Sequence, residues 1–288
     1  MKLYKTTKGT LLEHENKFFV VDEEWDILIN RDELESYLGS CISGLKSLAD
    51  TEKDSWLSGG NILTPIGQQE VWAAGVTYLK SRDARMEESQ SSGGASLYDK
   101  VYDAERPELF FKAIASRVSG HLQQVYIRQD SSWDVPEPEL TLFINSNGNI
   151  QGYTVGNDMS SRSIEGENAL YLPQAKIYEK SAALGPCLYV SETPIAGTSA
   201  IKMQIKRDGV EVYRDETTVS RIKRSFTELT GFLFSECDFP HGCFLMTGTC
   251  LVPPVTFTLK EGDVVQMSID HIGTMLNTIA INPKHKKA

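Results

Sequence analysis

The chain has 288 residues, of which 40% are hydrophobic and 24% charged, values typical of a globular protein with one large domain or one domain plus a small appendage. Its net charge of −10 gives no electrostatic basis for binding nucleic acid or anionic lipid, and we expect neither partner. The five cysteines form no CxxC pair and no apolar run approaches the ~20 residues of a membrane span, so we expect a cytoplasmic protein with reduced thiols.

Residues 1–65 are predicted to form a small N-terminal α/β domain. A strand is expected at Phe18–Asp22, and a helix over Arg31–Leu48, where leucine and isoleucine recur at helical spacing. A loop rich in glycine and ending in Pro65 marks the boundary.

Residues 66–283 are predicted to form the catalytic domain, which we expect to be α+β and mostly β, and residues 284–288 to form a basic tail. Helices are expected at Leu79–Ser89 and Ser225–Glu236, and residues 90–97 have the composition of a mobile loop. Outside the two hairpins described next, the expected strands are Leu109–Ala113, Val125–Arg128, Leu188–Ser191, Val264–Ile269 and Met275–Ile281.

A hairpin around Asn147-Gly148 is the strongest local signal in the chain, since both positions of a type I′ turn need a positive φ. A two-residue turn there places Glu137 directly opposite Asp158 and Glu139 opposite Gly156. Residues two apart on a strand share a face, and so do directly opposed residues. Three carboxylates are therefore expected to converge. Asp208-Gly209 predicts a second tight hairpin between Ile201–Arg207 and Val210–Arg214.

This convergence predicts a metal site at Glu137, Glu139 and Asp158. Two unit charges ~5 Å apart repel by ~3 kcal/mol at an effective dielectric of ~20, so a cation is needed. Oxygen ligands favour a hard ion, Mg²⁺ first, with Mn²⁺ or Ca²⁺ as alternatives, and argue against zinc. The alternative is a solvated strand edge, and a bulge in the hairpin would break the register argument. Small residues are predicted to leave room for a ligand on the same face: Thr141, Gly152, Thr154 and Gly156.

Several polar residues near this hairpin are candidates for a reaction site. Lys176 could stabilise an enolate or exchange a proton, or it could be solvated. Arg162 could fix a turn or order the carboxylates. Thr249 follows a tight turn that could hold a carboxylate or hydroxyl group, although a structural turn is the better interpretation from local sequence. Ser81, Arg82 and Arg85 lie on the helix after Tyr78, where the two arginines share a face and could bind an acid or be exposed.

The ordered set of these motifs resembles the fumarylacetoacetate hydrolase family over roughly residues 66–283. It comprises Glu137-x-Glu139, the run from Gly152 through Asn157-Asp158 to Arg162, Lys176, Gly185-Pro186, Thr247-Gly248-Thr249, Leu259–Val265 and Ile272-Gly273-Thr274. The resemblance implies a β-roll catalytic domain, a divalent ion, a keto-acid substrate and a homodimer or homotetramer. By position it implies that the three carboxylates are metal ligands, that Lys176 is the active-site lysine and that Thr249 contacts substrate.

Hydrolases of this family carry a His and a Glu that activate water, and here Ser81 and Ala84 stand in their places. Glu165 stands where many of these hydrolases have Gln. The sequence is similar instead to members that dehydrate 2-keto-3-deoxy sugar acids, which implies Mg²⁺-dependent loss of water from a substrate such as 2-keto-3-deoxy-D-arabinonate. The product would be 2-oxoglutarate semialdehyde (2,5-dioxopentanoate).

In this interpretation Lys176 is the first candidate for the base, Glu108 or Glu165 supplies the acid, and Thr249, Ser81, Arg82 and Arg162 bind substrate. Two alternatives remain open at this point. One is a C–C bond hydrolase of acylpyruvates, or an oxaloacetate decarboxylase, that uses the same metal. The other is a non-enzymatic Ca²⁺-binding module, which the carboxylate trio alone would permit.

Overall fold

The computed structural model of the chain describes residues 1–88 and 95–284. The first part is a three-stranded meander followed by three short helices: β1 Lys2–Thr6, β2 Gly9–His14, β3 Lys17–Val21, α1 Trp25–Ile29, α2 Leu34–Ile42 and α3 Asp50–Leu57. The expected strand at Phe18–Asp22 is present as β3. The helix expected over Arg31–Leu48 is shorter, because the chain turns at its end through bonds from the Gly44 and Leu45 amides to the carbonyls three residues before them.

The second part contains a helical pair between two antiparallel strands, followed by three short strands: β4 Glu70–Gly75, α4 Leu79–Glu88, α5 Ala95–Asp103, β5 Glu108–Ile114, β6 Val118–Ser119, β7 Gln123–Ile127 and β8 Asp134–Val135. The helix expected from Leu79 is confirmed as α4, and Ser89 lies outside the described residues. Of the expected loop 90–97, residues 95–97 belong instead to α5, whose Tyr98 packs beneath Arg85 of α4. The rest of that loop, 90–94, lies outside the described residues.

The third part carries the acidic hairpin and two short helices: β9 Pro138–Ile144, β10 Ile150–Asp158, β11 Ser160–Ser161, α6 Arg162–Glu167, α7 Leu172–Lys176 and β12 Ala182–Tyr189. The last part comprises β13 Ala200–Arg207, β14 Val210–Thr218, α8 Phe226–Phe234, β15 Cys243–Met246, β16 Val264–Ile269 and β17 Gly273–Ile281. The helix expected at Ser225–Glu236 is confirmed, with Ser225 as its N-cap. The protein is α+β with more strand than helix, as expected.

Two sheets pack around the main core. The larger runs β3-β2-β1-β12-β10-β9-β15-β4-β5 with β6 beside β12, and the smaller runs β14-β13-β16-β17-β7. Leu140 and Leu142 of the first sheet share a buried cluster with Met203 and Met267 of the second. The strands of residues 1–65 extend the larger sheet, since β1 pairs with β12, and the division of the chain at residue 65 stays a prediction.

The β9–β10 hairpin has the predicted register from the Phe143–Gly152 pair to its open end, but the register next to the turn and the turn itself differ. Glu139 pairs with Gly156, as the sequence indicated. At the turn, however, Asn145 pairs with Asn149, because the Asn145 side-chain oxygen accepts bonds from the Asn147 and Asn149 amides and closes a wider loop. A bulge between Ile150 and Gly152 then restores the register. The two-residue turn prediction was wrong, and the bulge compensated for the error.

The small residues on the acidic face do not open space for a ligand, contrary to the prediction. Thr141 and Thr154 are fully buried. A side chain at Gly156 would overlap the Thr141 hydroxyl, and one at Gly152 would lie 2.8 Å from the Tyr189 carbonyl oxygen. These residues are small because neighbouring strands pack closely there.

The second hairpin follows the prediction. Arg207 pairs with Val210, and the two turn residues Asp208 and Gly209 have φ of 52° and 79°. None of the helices within the described residues has the length and apolar character needed to cross a membrane.

Candidate active site

Three carboxylates converge where the acidic hairpin ends. One oxygen from each of Glu137, Glu139 and Asp158 lies within 4.8 Å of the others, and all three side chains are buried. The Asp158 amide donates to the Glu137 carbonyl at 2.9 Å, which fixes the end of the β9–β10 pairing. The structure therefore brings together the trio that the register predicted.

Lys176 lies against two of these acids. It ends α7 and is fully buried, and its Nζ lies 2.7 Å from Glu137 Oε2 and 2.8 Å from Asp158 Oδ2, with the Ser160 hydroxyl as a third contact. Burial alone would lower the pKa of Lys176, but the Asp158 and Glu137 carboxylates outweigh it and raise the pKa above its ordinary value.

Lys112 is a second buried lysine, which the sequence reasoning missed. Its Nζ lies 2.6 Å from Asp158 Oδ1, donates to the Met159 carbonyl at 2.9 Å and also donates to the Lys176 carbonyl. Burial lowers its pKa against the opposing effect of Asp158. Lys112 is the unpaired residue of a bulge between the Trp72–Phe111 and Val71–Ala113 pairs, so strand periodicity gave no signal for it.

The electrostatics of Glu139 indicate that the trio suits a cation. Burial, together with the charges of Asp158 and Glu137, holds the pKa of Glu139 well above its usual range. Its Oε2 accepts a bond from the Gly248 amide at 2.6 Å, a neutral donor. For Glu137, Lys176 and Arg162 overcome burial and lower the pKa. A divalent cation among these oxygens would supply Glu139 with positive charge, and the donor set matches a hard ion.

Two arginines order the acids. Arg162 is buried, and its Nη2 donates to Glu137 Oε1 at 2.6 Å while its Nε lies 3.9 Å from Glu165 Oε2. Arg85 of α4 forms a buried ion pair with Glu165 of α6, and its guanidinium lies 5.5 Å from the Tyr98 ring centroid. The sequence left two interpretations of Arg162, as a residue that fixes a turn or as one that orders the carboxylates. Its contact with Glu137 matches the second interpretation.

Glu108 begins β5 and reaches into the same region. Its Oε2 is inaccessible to solvent. Burial raises the pKa of Glu108 and the Arg85 charge opposes that shift. Phe110, on the same strand face, lines the cavity at the trio, and its ring centroid lies 5.9 Å from Lys176 Nζ. Glu108 is therefore a half-buried acid with one inaccessible carboxyl oxygen, and its surroundings favour the protonated form.

The other residues that the sequence predicted to bind substrate do not all line the cavity at the trio. Thr249 lines the cavity, and its hydroxyl accepts a bond from the Leu251 amide. Ser81 also lines it, but its hydroxyl donates to the Tyr78 carbonyl at 2.7 Å. Arg82 lies apart from this group, because its guanidinium pairs with Asp83 at 2.8 Å and with Asp99 at 3.6 Å.

The cavity at the trio is small. Its volume is about 20 Å³, close to what one water molecule needs. Val76, in its wall, is buried with a φ of 53°, which is unusual for a β-branched residue and typical of strained positions at functional sites.

Comparison with known proteins finds one matching family and relatives that are named as dehydratases. The sequence profile of the fumarylacetoacetate (FAA) hydrolase C-terminal family matches residues 71–280. The chain is 45% identical to a probable 2-keto-3-deoxyxylonate dehydratase of Haloferax volcanii, over 80% of this chain and 78% of the relative. It is 34% identical to the 2-dehydro-3-deoxy-D-arabinonate dehydratase of Saccharolobus solfataricus, over 97% of this chain and 96% of the relative.

A solved structure extends the comparison to the fold. The structure of a 2-keto-3-deoxy-D-arabinonate dehydratase complexed with magnesium and 2,5-dioxopentanoate superposes with a TM-score of 0.83 at 31% identity. The match covers 98% of this chain and 99% of the other. The β-roll fold expected from the sequence is confirmed.

Proposed function

The chain belongs to the fumarylacetoacetate hydrolase family, and from that premise we propose that it dehydrates a 2-keto-3-deoxy sugar acid. A pentonate such as 2-keto-3-deoxy-D-arabinonate would give 2,5-dioxopentanoate. The observation that carries the proposal is one buried constellation: three converging carboxylates, a lysine against two of them and a protonation-biased acid beside it. The names of the relatives agree with it.

Glu137, Glu139 and Asp158 are the residues that would hold a divalent cation, with Mg²⁺ our first choice. When bound, such a cation supplies positive charge for the substrate carboxylate and for the electron density that collects on the 2-keto oxygen. The raised pKa of Glu139 supports this assignment, because a buried carboxylate among like charges needs a cation to ionise.

Lys176 is our candidate base and Glu108 our candidate acid. The C3–H bond breaks and its proton passes to the Lys176 amine. The electron pair forms the C3–C4 double bond, and the C4–O bond breaks as the oxygen takes a proton from Glu108 and leaves as water. In a pentonate, a proton shift from C5 to C3 then gives a C4–C5 enol, which ketonises to the aldehyde. The net change is loss of one water molecule.

The protonation of Lys176 depends on its carboxylate partners. Asp158 and Glu137 hold it as an ammonium, so their charge must be balanced elsewhere before the amine can accept the C3 proton. Lys112 already contributes to this balance through its ion pair with Asp158.

Arg162 and Glu165 are assigned to positioning. Arg162 holds Glu137, and the Arg85–Glu165 ion pair joins α4 to α6 beside it. Thr249 and Ser81, which line the cavity, are the residues we assign to contact with the substrate, and the position of Arg82 gives its assignment no support.

The test is direct incubation. Purified protein is mixed with 2-keto-3-deoxypentonates and hexonates, with and without Mg²⁺, and the aldehyde product is trapped and identified by mass spectrometry. We expect metal-dependent product from at least one substrate. Absence of product across both chain lengths would overturn the proposal.

Parallel reactions with acylpyruvates and oxaloacetate test the hydrolase and decarboxylase alternatives. We expect acylpyruvate hydrolysis to be slower, because the Ser81 hydroxyl is bonded to the Tyr78 carbonyl and offers no base for water at the position of the family's histidine. Oxaloacetate decarboxylation faster than any dehydration would favour that alternative. Homodimer or homotetramer assembly and a cytoplasmic location stay predictions.

A further inference from the structure

The Glu108 carboxyl occupies the space that a side chain at residue 75 would fill. An ideal Cβ built on Gly75 would lie 2.6 Å from Glu108 Cδ and 3.3 Å from its Cγ, and closer still to Oε2. Real Cβ atoms essentially never approach another heavy atom within 3.0 Å. The carboxyl therefore lies across the strand backbone at Gly75, a position open only to a residue without a side chain.

The sheet register explains this contact. Gly75 ends β4, Glu108 begins β5, and the two are direct partners in the antiparallel ladder. Directly opposed residues project their side chains to the same face. Ala73 and Phe110 form the next pair on that face, and the Phe110 ring lines the cavity. Small residues of β4 thus lie opposite both Glu108 and Phe110.

We propose that Gly75 is a positioning residue for the dehydration: by lacking a side chain, it allows the Glu108 carboxyl to lie where it can protonate the departing C4 hydroxyl. This inference deepens the proposed function and rests on it. Gly75 itself touches no reacting atom in this account, and its effect passes through Glu108.

The surroundings of Gly75 indicate that the carboxyl, not the backbone, would move if a methyl group were added. Val76 is held at a φ of 53°. The Thr77 hydroxyl donates to the Thr247 carbonyl at 2.6 Å, and the Thr77 carbonyl accepts from the Lys223 amide at 2.9 Å. The end of a glutamate side chain rotates more easily than this bonded segment, so Gly75→Ala should displace the acid and preserve the fold.

The first variant is Gly75→Ala, with Gly67→Ala as the matched control. A Cβ at Gly67 would overlap the carboxyl of Asp26 in the same way, but Asp26 bonds to Gln68 and Gln69 and does not line the cavity. We expect Gly75→Ala to lower kcat by roughly 100-fold with little change in KM, as a misplaced general acid should. Gly67→Ala should keep wild-type activity per folded molecule.

A half-reaction separates a positioning effect from general damage. Exchange of the substrate C3 protons in D₂O, followed by NMR, reports on the base step at Lys176. In Gly75→Ala we expect exchange of the C3 protons to be faster than product formation, because the Glu108 acid is displaced and the Lys176 base is not. Equal loss of exchange and of product would mean that Gly75 acts through Lys176, and would overturn the inference.

A double-mutant cycle tests the route through Glu108. In a Glu108→Ala background the carboxyl is absent, so Gly75→Ala should change neither thermal stability nor residual activity. If Gly75→Ala alone does not fold, we expect the double variant to fold as Glu108→Ala does. A double variant that is unfolded, or further impaired, would overturn the inference, because the added methyl would then meet another group.

Activity of the wild-type protein distinguishes failure of the proposed function from failure of the inference about Gly75. If it dehydrates no 2-keto-3-deoxy acid, the proposed function fails and this inference fails with it. If it dehydrates its substrate and Gly75→Ala does so equally fast, only the inference about Gly75 is overturned.

Discussion

The β9–β10 and β13–β14 hairpins arise from similar sequence signals and lie in opposite environments. Every residue of β9 is buried, whereas no residue of β14 is. Glu139 is packed among other buried charges, while Glu211 on β14 pairs with Arg214 at the surface. The difference teaches that carboxylates on a strand indicate a site when the fold buries them, because a buried carboxylate must find a cation and a solvated one need not.

Glu139→Gln is the strongest test of that comparison. Removing one of the three carboxylates proposed to hold Mg²⁺ should lower kcat/KM on the order of 10³-fold, the scale of Lewis-acid stabilisation. In EDTA the same variant should unfold at a higher temperature than the wild type, because burial and its neighbours' charges oppose ionisation of Glu139. Kinetics with added Mg²⁺ and thermal unfolding in EDTA measure the two effects. Glu211→Gln on the exposed hairpin is the control, and an equal loss of activity there would contradict the comparison.

Lys112→Met should have the next largest effect. It removes one partner of a buried ion pair, which typically costs about 3–5 kcal/mol of unfolding free energy. Loosening Asp158 should also weaken Mg²⁺ binding by about 10- to 100-fold. Urea unfolding and calorimetric titration check both. Lys202→Met, which breaks a pair with Asp270 that is about half exposed, should change stability little. Similar losses in the two variants would remove the distinction between buried and exposed pairs.

Asp134→Asn sharpens the comparison with a buried acid outside the trio. Burial raises the pKa of Asp134 to about 6 from its ordinary 3.8. Between pH 4 and 6 the folded protein therefore retains a proton that the unfolded chain releases, and stability falls as pH rises through this window. The side-chain amide in Asp134→Asn does not ionise, so the variant does not lose stability as pH rises. Its unfolding free energy should exceed that of the wild type by about 2–3 kcal/mol at pH 8 and be nearly equal at pH 4. Urea unfolding at both pH values measures the difference in unfolding free energy between the variant and the wild type. An equal difference at pH 4 and pH 8 would contradict this explanation.

Gly209→Ala should have the smallest effect. Gly209 has a φ of 79°, and an added methyl would meet no atom within 4 Å. The cost is the strain of a left-handed residue, about 1 kcal/mol of unfolding free energy. Chemical denaturation measures it, and kcat should stay unchanged. A fall in kcat would show that the exposed hairpin is coupled to the site.

Sequence reasoning succeeded where local rules decide the outcome. Strand alternation placed Glu137 and Glu139 on one face, but the predicted pairing of Glu139 with Gly156 holds only because the bulge between Ile150 and Gly152 offsets the wrong turn. The turn itself was not predictable from Asn147-Gly148, because the Asn145 side chain competes for the turn amides. The strand at Leu188–Ser191 was placed too late, since β12 begins at Ala182 and continues through Pro186, a residue that normally argues against a strand interior.

The missing parts of the site depend on contacts between distant elements. Lys112 meets Asp158 only because β5 and β10 lie near each other in the folded protein, and Arg85 meets Glu165 only because α4 packs against α6. The environment of Glu108 depends on the β4–β5 register, which places Gly75 opposite it. No periodicity in the sequence reports such pairings.

The size of the cavity also bears on the speed of the reaction. A space of about 20 Å³ is far smaller than a typical ligand pocket, so a five-carbon acid would bind at the trio only after side chains of the wall moved apart. Residues of α4, whose Arg85 is ion-paired with Glu165, form part of that wall. In the proposed reaction each turnover would therefore include a movement of this wall, and the rate of that movement would limit kcat whatever the rate of proton transfer.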